Sequence, residues 1–241
     1  MATKRTGGKR PSDPAWVVLK FGGTSVSTAG RWRTILGLVK QRQADGLHPV
    51  VVHSALATVS NRLDELLRSS RDKEARPSIE DLRQLHFNLA DTLGVDGPGE
   101  LGEYFNELDQ LVAGVHLVRE VSPRVQARVM AMGELLATRL GAAYLRKQGL
   151  AVTWLDARTL LRTVNVAGAN ERGAYLAASC EFDPDPALQK QLAAVDGVVL
   201  TQGFIASNPR GECVLLGRGG SNTSAAYVAA KLQASALEIW T

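Results

Sequence analysis

The sequence predicts an α/β fold in which crossover helices connect the strands of a largely parallel sheet. Its 241 residues suffice for one large domain of this kind. The composition, with 22% charged and 45% hydrophobic residues, is that of a globular chain. The first apolar segments follow the order strand, glycine turn, helix, strand, loop, helix, which is typical of parallel sheets.

The first four elements carry this prediction. Residues 16–21 form a short apolar run with β-branched side chains, which predicts a buried strand that ends at two glycines. A helical pattern follows and ends near Asp45-Gly46, because glycine favours the end of a helix. The valine-rich residues 49–54 predict the second strand. Ser60 belongs to a residue type that caps helices, and we expect it to cap the next one.

The middle of the chain is predicted to be helical. Leucines at helical spacing follow Ser78, a second expected cap, and the glycines of residues 94–99 are expected to interrupt the helix. Another apolar stripe covers residues 101–115. Ser122-Pro123 predicts the start of a helix that continues to Arg146, with proline at its first position. We interpret these stripes as core-packing faces.

Strand character returns in the last third of the chain. The predicted strands and extended pieces are residues 151–155, 197–201, 204–206, 213–216 and 236–241. A turn at residues 208–211 separates the third of these from the fourth. The glycine-rich residues 217–222 precede an alanine-rich helix that ends near Lys231.

Composition excludes several classes of protein. Two cysteines, Cys180 and Cys213, cannot form a dense disulfide framework, and no Cys/His cluster has zinc spacing. No apolar run approaches the ~18 residues of a membrane-spanning helix. The polar, basic N-terminus does not resemble a signal peptide. We therefore expect a cytoplasmic protein with no protein-bound metal and no membrane partner.

The net charge of +4 is concentrated near the N-terminus. The first 13 residues carry three of these charges, and the rest of the chain carries only one. We predict that residues 1–14 form a disordered basic tail and that residues 15–241 form the folded domain. The tail could instead make an electrostatic contact. No nucleic-acid partner is expected.

The first candidate for chemistry is the glycine turn after the first strand. Gly22 and Gly23 can direct backbone N–H groups inward as an anion nest, and the N-terminus of the next helix adds positive potential. Lys20 adds a formal charge, so the turn suits a polyphosphate. The lysine precedes the glycines, unlike that of a Walker A loop. An ordinary turn with a surface lysine is the alternative.

The second candidate is the turn at residues 217–222. Arg218 can hold a carboxylate through two parallel hydrogen bonds, and the helix after Ser221 offers free N–H groups. Two cationic glycine turns in one chain indicate two anionic ligands, a nucleotide and an acid. A flexible surface loop is the alternative.

Three further side chains are candidates for binding a substrate. Ser54 and Ser60 follow the second strand, and open α/β sheets bind ligands at the carboxyl ends of their strands. Glu134, which follows Gly133, could pair with a substrate ammonium group. A solvent-exposed helix position is the alternative for this glutamate.

These motifs, taken in order, resemble those of the aspartate kinases, members of the amino-acid kinase superfamily. The matching segments are residues 20–26, 52–63, 133–135, 217–226 and 237–241. The resemblance spans residues 16–241. The divergent residues 164–166 and 170–172 are further similar to the kinase half of bifunctional aspartate kinase–diaminopimelate decarboxylase proteins.

The resemblance implies a three-layer α/β sandwich and a phosphoryl transfer. Family members move the γ-phosphoryl group of ATP to the β-carboxylate of L-aspartate, giving 4-phospho-L-aspartate, the first step toward lysine, threonine and methionine. Because the nucleophile is already a carboxylate, the task is to position two anions and neutralise charge. Mg²⁺ would arrive with ATP rather than in a protein-only site.

The resemblance also implies roles for individual residues. Lys20 would contact the γ-phosphoryl group as the catalytic residue. The other expected nucleotide-binding residues are Gly22, Gly23, Ser25 and Thr241. The expected aspartate-binding residues are Ser54, Ser60, Glu134, Arg218, Gly219, Gly220, Ser221 and Asn222. Arg218 would bind a carboxylate, and Glu134 would hold the α-ammonium group.

The sequence departs from the family pattern at several points. Asn222 replaces the usual aspartate, Ser60 replaces a threonine, and Thr58 stands where glycine is common. Asn222 could instead serve only as a helix cap. The family strand runs on beyond the position of Thr241, so we expect the nucleotide lobe and the ACT domains to be absent here.

The sequence leaves three interpretations of the activity open. The chain is part of an aspartate kinase that could be inactive alone, a non-catalytic aspartate-binding fragment, or another member of the superfamily. A homo-oligomer is possible for a full-length protein.

Overall fold

The computed structural model describes residues 15–164, 168, 170–217 and 219–241. The predicted tail at residues 1–14, Arg218 and part of the divergent motif at residues 164–166 lie outside the described residues.

Seven strands in the described part of the chain form two sheets. The strands are β1 (Trp16–Phe21), β2 (His48–His53), β3 (Val152–Leu155), β4 (Val198–Gln202), β5 (Ile205–Ser207), β6 (Cys213–Leu215) and β7 (Ala236–Trp240). The main sheet has the order β3-β4-β2-β1-β7, and every pairing in it is parallel. β5 and β6 form a separate antiparallel hairpin. The predicted α/β class is therefore confirmed.

Nine α-helices connect or follow these strands in the same described ranges. They are α1 (Ala29–Ala44), α2 (Val59–Ser69), α3 (Glu80–Leu93), α4 (Gly97–Val118), α5 (Pro123–Lys147), α6 (Ala157–Leu160), α7 (Glu171–Leu176), α8 (Pro186–Ala193) and α9 (Gly220–Leu232). A short 3₁₀ turn, Thr24–Val26, precedes α1. None of the helices described has the length and apolarity needed to cross a bilayer.

The direction of the crossovers produces three layers. The connections from β1 to β2 and from β2 to β3 run toward one edge of the sheet, whereas those from β3 to β4 and from β4 to β7 run back. Because parallel crossovers are right-handed, the two directions place their helices on opposite faces. Accordingly α5 packs against β3 and β4, and α1 against β2, while α9 packs against β1 and β2 with α8 beside it.

Helix α5 lies at the centre of the core. Its residues 131–138 are all buried, which is unusual for a helix of this length. Gly141 of α5 allows Trp32 of α1 to approach, since a Cβ at Gly141 would lie 2.2 Å from the indole ring. Trp32 also meets His53 edge to face at 5.4 Å. The packing thus joins α1, α5 and the end of β2.

Several predicted boundaries were wrong for local reasons. Thr58, in the left-handed conformation with φ 71°, occupies the cap position of α2, so Ser60 lies inside the first turn. Ile79 rather than Ser78 is the cap residue of α3, although the Ser78 hydroxyl accepts the Glu80 N–H. Helix α4 begins at Gly97, within the predicted break, because the Asp96 side chain accepts the Gly99 N–H. Ser122 caps α5 as predicted.

Candidate functional site at the carboxyl edge of the sheet

The turn after β1 holds a buried lysine against a glycine. Lys20 is only 6% exposed, and burial lowers the pKa of its ammonium group. A Cβ on Gly22 would lie 3.7 Å from Lys20 Nζ. The Gly22 N–H donates to the carbonyl of Trp240 at 3.1 Å and is therefore already used by the edge of β7. Among the described residues, no acceptor takes the N–H of Gly23 or Thr24, so these two groups, and not that of Gly22, are available to an anion.

Gly23 is required where the first turn touches the loop after β2. A Cβ at this position would lie 2.9 Å from the carbonyl oxygen of Ala55. The Ser27 hydroxyl donates to the Gly23 carbonyl at 2.7 Å and accepts the Ala57 N–H at 2.8 Å. Ser25 is buried, and its N–H donates to the Gly22 carbonyl. Close packing and these hydrogen bonds therefore join the glycine turn after β1 to the loop after β2.

The loop after β2 borders a small cleft beside the glycine turn. The cleft has a volume of about 280 Å³ and is lined by Gly23, Ser54, Ala55, Leu56, Ala57, Thr58, Ser60 and Asn61. Both predicted serines, Ser54 and Ser60, line it. Its polar groups lie beside the glycine turn, as a site that joins two ligands requires.

Glu134, on the buried face of α5, lies against the loop after β2. It is 3% exposed, and its Oε1 accepts the Ala55 N–H at 3.3 Å. Its Oε2 has no hydrogen-bond partner among the residues described. Burial raises the pKa of this carboxyl group to about 8. The alternative of a solvent-exposed glutamate is therefore wrong, and the free oxygen is a ready acceptor for a cationic ligand.

Gly133 explains how α5 comes so close to the loop. A Cβ there would lie 3.0 Å from Ala55 Cβ and 3.2 Å from Val59 Cγ1. The pair Gly133-Glu134 thus combines close approach with a buried carboxyl group.

The second glycine turn precedes α9 and lies against Gly203, just after β4. Gly219 has φ 72° and is the cap residue of α9, and its carbonyl accepts the Asn222 N–H at 2.8 Å. The alternative that Asn222 serves only as the cap of this helix is therefore wrong; its side chain is exposed in the first turn. Gly220 is buried against Phe204, and Ser221 is half-buried.

Sequence reasoning missed Gly203 and Phe204, which lie between β4 and this turn. A Cβ at Gly203 would lie 2.8 Å from Ser221 Oγ, and the Gly203 N–H donates to the His53 carbonyl at 2.9 Å. Phe204 has φ 68°, a strained value for an aromatic residue, held by a bond from its N–H to Ser224 Oγ. A glycine directly after a buried strand, at the edge where ligands bind, was the available signal.

The strand ends bring most of the predicted residues to one edge. Lys20 lies in β1 and the first glycine turn follows that strand. Ser54 directly follows β2, and Gly203, just after β4, lies against Ser221. Thr241 follows Trp240, whose carbonyl is bonded to Gly22. The described residues contain no group of three or more His, Cys, Asp or Glu side chains that could hold a metal ion.

The structure is therefore a parallel α/β sandwich with two glycine turns and a buried carboxyl group at the carboxyl edge of its sheet. The model of the amino acid kinase family matches residues 15–241, so this chain belongs to the amino acid kinase family.

Curated relatives of the chain include aspartokinases. It is 31% identical over 237 residues to lysine-sensitive aspartokinase 3 of Escherichia coli (strain K12), covering 93% of this chain and 48% of that protein. It is 28% identical to bifunctional aspartokinase/homoserine dehydrogenase 1, chloroplastic, of Arabidopsis thaliana, covering 97% of this chain and 26% of that protein. The chain spans at most about half the length of these relatives.

Solved structures with a similar fold also include aspartate kinases. E. coli aspartokinase III in complex with aspartate and ADP superposes with a TM-score of 0.75 at 29% identity, over 93% of this chain and 48% of that one. The aspartate kinase of Clostridium acetobutylicum shares the fold, with a TM-score of 0.70 at 16% identity over 93% of this chain and 47% of that one.

Proposed function

We propose that this chain is the phosphate- and aspartate-binding part of an aspartate kinase. In the complete protein the γ-phosphoryl group of ATP would pass to the β-carboxylate of L-aspartate, giving 4-phospho-L-aspartate for lysine, threonine and methionine synthesis. The similarity to an aspartokinase solved with aspartate and ADP supports this proposal.

One observation carries the proposal. The Glu134 carboxyl group is buried, and one of its oxygens has no partner among the described residues. The other accepts the N–H of Ala55, which lines the cleft beside the glycine turn. An α-ammonium group bound there would satisfy the first oxygen and restore the charge that burial disfavours. The rest of the amino acid would then lie within the cleft, toward the glycine turn after β1.

The residues around Lys20 suit the phosphates of a nucleotide. A buried ammonium group beside two free backbone N–H groups is an anion site in a low-dielectric setting, where each charge acts strongly. Lys20 would stabilise charge on the transferring group, with Gly22, Gly23, Ser25 and Thr241 around the nucleotide. Mg²⁺ arriving with the nucleotide would supply further neutralisation of the phosphate charge.

The second turn would hold a carboxylate of the substrate. Arg218 is the cation of this turn, and Gly219, Gly220, Ser221 and Asn222 would surround the same end of the molecule. Ser54 and Ser60, which line the cleft, would donate hydrogen bonds to it.

The wider assignment is also a proposal. Residues 164–166 and 170–172 support a bifunctional protein with a diaminopimelate decarboxylase, although the bifunctional relative above carries a homoserine dehydrogenase. We further propose a cytoplasmic protein, a basic tail at residues 1–14, one kinase domain portion at residues 15–241, and a homo-oligomer in the complete protein.

Calorimetry of the chain with L-aspartate tests the proposal. We expect saturable binding that weakens about tenfold or more in Glu134→Gln, because a charge-assisted hydrogen bond is lost. Glu103→Gln, at an exposed position of α4, is the matched control and should bind like the wild type. Equal affinity of the two variants, or no binding by the wild type, would contradict the proposal. ADP release from MgATP with L-aspartate then separates a kinase from an aspartate-binding module.

A further inference from the structure

Ser27 connects the glycine turn after β1 to the loop after β2 through a single hydroxyl group. The hydroxyl donates to the Gly23 carbonyl at 2.7 Å and accepts the Ala57 N–H at 2.8 Å. Among the hydrogen bonds of the described residues, no other joins residues 22–28 to residues 55–59. One side-chain oxygen therefore fixes the backbone of both segments.

The loop after β2 needs this anchor because its backbone is strained next to Ala57. Thr58, the following residue, has φ 71°, a left-handed conformation that a β-branched residue rarely adopts. Its side chain makes no capping hydrogen bond to α2 that would offset the cost. Strained residues persist only where their surroundings hold them in place. The bond from Ser27 holds the backbone directly before the strained residue.

The two segments that Ser27 connects both belong to the candidate site. Gly23 lines the cleft, and its N–H is one of the two groups available to an anion. Thr58 and Ser60, at the start of α2, line the same cleft. Ser27 is not part of the described lining of the cleft, so it acts on the site through the two backbone groups that it holds.

We propose that Ser27 is a positioning residue, which sets the distance between the glycine turn that would hold the transferring phosphate and the loop that would hold the amino acid. The inference rests on the proposed function, in which these two segments bind the two reactants. It assigns no contact between Ser27 and either ligand.

The distance between the two segments matters for phosphoryl transfer more than for the binding of either reactant alone. Reacting atoms must lie about 3–3.5 Å apart, and a misplacement of 1 Å can cost about 10²-fold in rate. Each reactant would contact mainly its own segment, so its affinity depends little on the bond between the segments. Loss of the Ser27 hydroxyl should therefore lower kcat and leave both KM values near those of the wild type.

The test compares two substitutions of Ser27 in the complete protein. Ser27→Ala removes the hydroxyl, whereas Ser27→Thr keeps it. Because the position is half-buried, alanine leaves no large cavity, and the variant should fold. A coupled ADP assay with L-aspartate and MgATP gives kcat and the two KM values. We expect kcat of Ser27→Ala to fall about tenfold, with both KM values within about twofold of the wild type, and Ser27→Thr to retain all three constants.

The controls keep the outcomes distinct. Thr34→Ala removes a hydroxyl from α1 that bonds at 3.4 Å to the Gly30 carbonyl of the same helix, and it should change none of the three constants. A purely structural role of Ser27 would lower the melting temperature of Ser27→Ala and leave kcat unchanged. Absence of aspartate-dependent ADP release in the wild type would refute the proposed function. With an active wild type, a folded Ser27→Ala that keeps its kcat, or changes only a KM, would overturn this inference alone.

Discussion

Single residues at this site are held in states that folding alone disfavours. Glu134 is a buried carboxyl group, one oxygen of which has no partner in the part of the chain that the structure describes, and Lys20 is a buried ammonium group beside a glycine. Phe204 occupies a strained backbone region. Such strain is expected where residues are held for a ligand, and it makes the site testable by stability as well as by binding.

Glu134 should make the chain less stable as pH rises through neutrality. Its folded pKa is about 8, above its ordinary value of 4.5, so between these values the folded state holds a proton that the unfolded state has lost. The free energy of unfolding should therefore fall across this window, by about 1.4 kcal/mol for each pKa unit crossed. Urea unfolding of the ligand-free chain between pH 6.5 and 8 measures the fall.

Glu134→Gln should remove that fall, because glutamine does not titrate. His53 and His86, whose pKa values burial lowers to about 4, destabilise the chain only as pH drops below 6.5, and they do so in both proteins. Parallel curves for the wild type and the variant would show that Glu134 is ionised in the free chain.

Lys20 should contribute to phosphoryl transfer and not to stability. Replacing it with methionine keeps the length of the side chain and removes a buried charge, so we expect an equal or higher melting temperature. Phosphoryl transfer by the complete protein should fall by roughly 10²-fold or more, the scale for losing one transition-state donor. Calorimetric melting and a coupled ADP assay measure the two effects. A folded variant with normal turnover would contradict the role in transfer, and a clearly lower melting temperature would contradict the expectation for stability.

At the scale of elements, apolar patterns predicted most of the helices and strands. The capping rules predicted fewer of the residues at which the helices begin. The valine-rich strands and leucine stripes are visible because burial leaves a period in the sequence. The start of α2 is not, because it depends on Thr58 adopting a left-handed conformation that no pattern marks. The burial of Glu134 also depends on partners distant in sequence, such as Ala55. Likewise, the buried hydrogen bond from the Gln202 amide to the Thr138 hydroxyl joins residues 64 positions apart in sequence, so no local pattern marks it.

The contact between α1 and α5 depends on one glycine. Gly141→Ala should destabilise the chain by about 1–3 kcal/mol, because the new methyl group would overlap the ring of Trp32. Gly102→Ala, within α4, is the control: nothing lies within 4 Å of its added Cβ, so it should stabilise the helix by about 0.5–1 kcal/mol. Urea unfolding measures both substitutions. Similar effects of the two would show that Trp32 moves aside freely.

At the scale of the whole molecule, the site is a property of the sheet order. Strands β2, β1 and β7 are neighbours, so the loop after β2, the glycine turn and Thr241 meet although they are far apart in the chain. The resemblance in motif order predicted this grouping. Residue spacing alone could not, because the pairing of β1 with β7 leaves no local signal.

The first 13 residues should be dispensable for the fold. They combine turn-forming residues and charges and offer no apolar face to bury. Deleting them should leave the melting temperature unchanged within error. A loss of several degrees would show that the segment docks on the domain, and its disappearance at high salt would identify the contact as electrostatic.

The pairing of β1 with β7 also has a consequence for synthesis. Translation proceeds from the N-terminus, so β1 and its glycine turn are made well before β7. Until β7 arrives, one side of β1 has no strand beside it, and the Gly22 N–H lacks its acceptor at Trp240. Strand pairings between residues so far apart in sequence form slowly, because the entropy cost of closing a large loop comes before the pairing gains any stability. The nascent chain therefore carries a hydrophobic strand with one unpaired edge until β7 has been made, and the glycine turn after β1 is completed only when the two strands pair.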